Sequence, residues 1–127
     1  MVNLPGLVAM FILVMAAVSS IRKRPPVKAG DICTIDEGNN YFGVVKVLLV
    51  NADRVHVKMY INKFPFRPEK LDLTTLTMGN TEDEEGDLGN PHIPFDKPEF
   101  NAMKPEVEGN EFVTPEEMEA YREWKRQ

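Results

Sequence analysis

The sequence predicts a transmembrane helix, then a small, mainly β barrel of about four or five strands, then a C-terminal α-helix. Three observations predict this class. The first twenty-one residues carry no charged side chain and are followed at once by Arg22, Lys23, Arg24, Pro25 and Pro26. Residues 54–62 alternate between apolar and polar side chains. Thr114-Pro115-Glu116-Glu117 has the composition of a helix start.

The apolar run from Leu4 to Ile21 spans roughly 27 Å as an α-helix. That is at the short end of what crosses a hydrocarbon core. Pro5 falls in the first turn, where its missing N–H costs little. No polar face interrupts the run, which disfavours a buried helix of a soluble domain. The positive charges follow the apolar stretch, so the positive-inside rule places Arg22, Lys23, Arg24 and Lys28 in the cytoplasm. The expected localisation is the cell inner membrane, single-pass, with the N-terminus outside and the C-terminal domain cytoplasmic. A cleaved signal peptide is the competing reading, with Ala17-Val18-Ser19 as a small-x-small site and a secreted or periplasmic product.

Residues 1–21 are therefore read as the anchor and 22–29 as a basic connector stiffened by Pro25-Pro26. The remainder is long enough for one small domain. All 15 Lys+Arg and 20 Asp+Glu lie beyond the anchor, and their distribution is uneven. Between Glu82 and Glu119 thirteen acidic residues face only Lys97 and Lys104. An acidic tail disfavours nucleic acid as a partner, whereas the basic connector suits anionic lipid headgroups.

Residues 30–78 read as the β-barrel. Ile32-Cys33-Thr34-Ile35 is a short β-branched strand, and Glu37-Gly38-Asn39-Asn40 is a turn cluster. Tyr41 to Asn51 is a long apolar strand in which Gly43 marks a bend or bulge. Ala52-Asp53 makes a tight turn. In the following strand Val55, Val57, Met59 and Ile61 lie on one face, with Arg54, His56, Lys58 and Tyr60 on the other. Residues 63–70 form a loop, and the parity of Leu71, Leu73, Thr75 and Thr77 predicts a further strand over 71–78. Residues 79–98, rich in Gly, Pro and acid, are expected to be a linker without regular structure.

The tail, 99–127, is expected to hold a helix at about 115–126. Thr114 is placed as N-cap, Pro115 at N1 and Glu117 at N3 of a capping box, with Val113 and Met118 as a hydrophobic staple. Met118, Tyr121 and Trp124 form one docking stripe on a helix too short to stand alone in water. Two accounts of the aromatic residues stay open. The tail folds back and completes the core, or Tyr60, Phe64, Phe66, Met118, Tyr121 and Trp124 line a protein-binding groove.

No catalytic, cofactor-binding or metal-binding set is recognised. Cys33, the single cysteine, alternates with core residues and reads as a small core side chain. His56 and His92 are the only histidines, and each reads as solvated. A Cys33–His dyad has no local support, and the run Glu82 to Asp87 does not match a calcium loop, since position twelve would be His92.

The stretches KAGDICTIDEGNNYFGVVKVL (28–48) and RVHVKMY (54–60) resemble small Src-homology-3-like barrels of the Tudor and KOW type. They are also similar to bacterial immunity-type proteins that open with Gly-Asp-Ile. The resemblance implies binding of a peptide, protein or RNA, and the acidic balance argues against RNA. The expected function is a membrane-anchored interaction or assembly protein, an accessory subunit of a membrane complex, with a protein partner and no cofactor or small-molecule substrate. The alternatives are a secreted or periplasmic binding protein and a toxin-neutralising immunity protein.

Overall fold

A computed structural model describes residues 26–79 and 88–127. The anchor expected over 1–21, the flanking Arg22, Lys23 and Arg24, and the run Glu82 to Asp87 lie outside the described residues. Three consecutive strands make an antiparallel meander: β1 (Asp31–Asp36), β2 (Phe42–Val50) and β3 (Arg54–Phe64). Two further strands flank it, β4 (Asn90–Asp96) and β5 (Glu106–Asn110). The five form one sheet in the order β4-β3-β2-β1-β5. Two short helices complete the described chain, α1 (Lys97–Ala102) and α2 (Glu119–Arg126). The fold is thus mainly β with a C-terminal helix, as expected. None of the described helices is long and apolar enough to cross a membrane.

Local chemistry sets the connections. Asn51 turns β2 into β3 by accepting the Asp53 and Arg54 N–H groups on Oδ1, at 3.1 and 2.8 Å. The β2–β3 ladder shifts register between Gly43 and Val45, where glycine predicts a bulge. Gly30, with φ +91°, receives the chain leaving β5: its carbonyl accepts the Glu111 N–H at 2.9 Å, and a side chain there would collide with the Glu111 carbonyl.

Both faces of the sheet are covered, which explains the nearly continuous burial of β1 and β2. On one face Cys33, Ile35, Val45, Val47, Val55 and Val57 surround Phe100 of α1. Phe95 of β4 stands beside Phe100, with ring centroids 5.9 Å apart. On the opposite face Ile32, Val44 and Tyr60 lie under Leu71, flanked by Phe64, Leu73, Leu76 and Met78.

Three expectations are corrected. Residues 71–78 form no strand; Leu73–Thr75 is a 3₁₀ turn. Asp72 Oδ1 accepts the Thr74 N–H and hydroxyl at 3.0 and 2.6 Å, giving the backbone a local alternative to a ladder. Within the linker expected over 79–98, residues 90–96 form a strand, because β4 pairs with β3 from Arg54↔Asp96 to Met59↔Asn90. Pro91 and Pro94 are compatible with a strand that is outermost, and Pro98 occupies the first turn of α1. The tail holds β5 as well as a helix, and β5 pairs with β1. Its α-helix begins at Glu119, after a turn over 115–118 whose bonds run from Met118 N–H to the Pro115 carbonyl and from Glu119 N–H to the Glu116 carbonyl.

Candidate functional site

The capping box predicted from Thr114 and Glu117 forms. Glu117 N–H donates to Thr114 Oγ1 at 3.2 Å, and Thr114 N–H donates to Glu117 Oε1 at 2.9 Å. The same carboxylate then reaches into the sheet. Lys46 of β2 and Lys58 of β3 are cross-strand partners, and both side chains rise from the face that carries Ile32 and Val44. Lys46 Nζ meets Glu117 Oε1 at 3.0 Å and Lys58 Nζ meets Oε2 at 2.6 Å, with Glu117 only 12% exposed. Burial alone would push the Glu117 carboxyl up. Hydrogen bonds from Lys58, the Thr114 backbone and Lys46, with the Lys58 charge, more than offset this and hold it at about 2.

Beyond the clamp, α2 lies on two histidines. His56 is fully buried and its Nδ1 lies 2.9 Å from His92 Nε2 of β4. The rings stack with centroids 5.2 Å apart. Tyr121 meets His56 edge-on at 4.8 Å, and Trp124 lies 5.2 Å from each histidine. Arg54 covers Trp124 at 5.4 Å. The expectation that both histidines are solvated is therefore corrected. Period-two alternation marked the His56 face as polar, but the tail covers it, and that is a contact distant in sequence.

Of the six residues singled out as a groove, Tyr60 is buried, and Phe64, Met118, Tyr121 and Trp124 are half-buried. Tyr60 and Phe64 belong to the cluster around Ile32, while Tyr121 and Trp124 converge on the histidines. Burial, then the Glu117 and Glu111 charges, push the Tyr60 hydroxyl up to about 12. Phe66 stands apart, 79% exposed. It precedes Arg67, whose guanidinium donates to the Thr34 carbonyl and hydroxyl at 3.1 and 2.9 Å and to the Lys104 carbonyl at 2.8 Å. Sequence reasoning missed Phe112, 82% exposed, whose carbonyl accepts a 2.7 Å bond from Lys46 Nζ. No periodicity marks Phe112, which lies between β5 and the capping box. Lys28, the one described residue of the basic flank, is exposed, and its backbone N–H donates to Asp31.

Cys33 is buried on the Phe100 face, opposite the side that carries His56, so the two do not form a dyad. Burial first, then the Asp31 and Glu108 charges against that of Arg67, push its thiol up to about 12. No three His, Cys, Asp or Glu side chains gather to hold a metal among the described residues. Comparison with protein-family models, with curated proteins and with solved structures returns no match.

Proposed function

We propose that this chain is a membrane-anchored interaction protein whose β domain binds a protein partner, as an accessory subunit of a membrane complex. The observation that carries this reading is the pair Phe66 and Phe112. Both are about four-fifths exposed, and each lies on or next to backbone pinned by a cation reaching in from the sheet or onto it. A large apolar side chain on fixed backbone loses little entropy on binding and can bury on the order of 150–250 Å². Strand addition is the less favoured route. Pro91 and Pro94 guard one outer strand, while a register shift and the charges of Glu106 and Glu108 guard the other. The short antiparallel meander is compatible with a Src-homology-3-like barrel. In this reading residues 1–21 span the membrane, and Arg22, Lys23, Arg24 and Lys28 sit at its cytoplasmic face.

The test is crosslinking and capture from membranes carrying the full chain. Phe66→Asp with Phe112→Asp is expected to reduce the crosslinked species at least about tenfold, with the unfolding midpoint unchanged because neither side chain is in the core. Equal recovery would overturn the reading. Recovery of the intact chain in the soluble fraction would overturn the anchor. Trp124→Ala should give the converse pattern: a loss of about 2 kcal/mol in urea titration, below the full cost of a buried tryptophan since this one is half-buried, with the crosslink retained.

A further inference from the structure

We infer that the His56–His92 pair is an acid-sensitive latch that holds α2 on the sheet and lets it go when either ring takes up a proton. The inference concerns the docking of the tail and does not rest on the proposed partner.

The hydrogen-bond chain carries the argument. Asn51 Oδ1 is occupied by the Asp53 and Arg54 N–H groups, so its amide Nδ2 faces His56 Nε2, at 3.2 Å. A donor there requires His56 Nε2 to be unprotonated. The remaining proton of His56 is then on Nδ1, donated to His92 Nε2 at 2.9 Å, and His92 carries its own proton on Nδ1. Both rings are neutral in this arrangement. A further proton on His92 Nε2 meets the His56 Nδ1–H across the same gap. Moving the His56 proton to Nε2 only shifts the clash to the Asn51 amide. The chain as it stands therefore has no room for an imidazolium, and its link to α2 is the cover of Tyr121 and Trp124 over both rings, against which a protonated ring leaving the chain for water must push.

The surroundings do not compensate. From β3, Arg54 adds positive charge and Lys58 is engaged by Glu117; from β4, Asp96 lies 3.6 Å from the Arg54 guanidinium. The β2–β3 turn presents Asn51 and Asp53, the latter hydrogen-bonded through its backbone to Asn51 and to Lys97. From the tail, Tyr121 and Trp124 cover the rings, and the Trp124 ring already faces Arg54. No carboxylate is hydrogen-bonded to either histidine among the described residues. Burial, with the His92 and Arg54 charges, holds His56 below its ordinary 6.5, and burial does the same for His92. The sign follows: the docked state binds fewer protons than the released one. The docking contribution is complete above the ordinary 6.5 and falls with pH below it, by up to about tenfold per histidine per pH unit.

Trp124 is the only tryptophan, so its emission reports α2 directly. With the full chain in detergent micelles, lowering the pH from about 7.5 to about 5 is expected to shift Trp124 emission to the red. Amide exchange over Glu119–Arg126 should rise while β1 to β3 stay protected. His92→Gln keeps an acceptor for His56 but removes one titration, so its transition should be shallower and centred at lower pH. His56→Gln is a second test if it folds; His92→Gln alone decides if it does not. A wild-type signal flat to about pH 5, a His92→Gln profile identical to wild type, or loss of β1–β3 protection together with α2 would each overturn the latch.

Discussion

Glu117→Ala is expected to destabilise the domain by about 3–5 kcal/mol, visible as a fall in the urea midpoint at neutral pH. The deletion removes one carboxylate but strands two cations. Lys46 is 5% exposed and Lys58 16%, so neither recovers hydration without opening the sheet face. It also dissolves the capping box, leaving the Thr114 N–H without its acceptor. Glu117→Gln should fall between, since the amide can still accept from Thr114. Replacing Lys46, Lys58 and Glu117 together with methionine is expected to restore most of the loss, because the desolvation cost of the ions disappears with them. The wild-type protein should show the same interaction through pH. The folded carboxyl is held at about 2 against an ordinary 4.5, so its contribution is complete above 4.5 and is lost as pH falls through that window toward 2. The amount at stake is on the order of 3 kcal/mol. Equal urea midpoints at pH 7 and 3 would remove the clamp from the account.

The second large effect is expected at Phe100. It is fully buried and is the largest such side chain among the described residues. α1 has six residues, too few to persist on helix propensity, so Phe100 is what holds it to the sheet. Phe100→Ala should cost about 3–5 kcal/mol, leaving a cavity among Cys33, Val45, Val57 and their neighbours. Calorimetry is expected to show a drop in Tm of at least about 12 °C. Phe100→Leu, which keeps most of the volume, should cost about 1–1.5 kcal/mol. A small loss for the alanine variant would mean that α1 is dispensable to that face.

Much of this fold was legible because its signals are local. The meander follows from β-branched runs separated by turn residues, and the Gly43 irregularity was visible in the same stretch. The capping box could be read from four consecutive residues, and the stripe of Tyr121 and Trp124 announced that the helix must dock. What was hidden depended on distant partners. β4 is rich in proline, and Pro91 and Pro94 read as breakers until the strand is known to be outermost. The alternation of β3 identified two faces but not what covers them. His56 and Lys58 took the solvent label because their covers, Trp124 and Glu117, arrive about sixty to seventy residues later in the chain. Phe66 was placed in the candidate groove for its type and Phe112 was not, since exposure is a property of the assembled surface.

The strand order has a consequence for biosynthesis. β1, β2 and β3 are contiguous, but both flanking strands, α1 and the tail are delivered only after residue 88. The bond from Asn110 Nδ2 to Asp31 Oδ1 joins residues 79 apart. A nascent chain that has released β3 therefore presents two unpaired strand edges and an uncovered Phe100 face for a few seconds, at roughly 5–20 residues translated per second. Over that interval the meander is a substrate for chaperones and for misassembly with its neighbours, and the arrival of β5 ends its exposure.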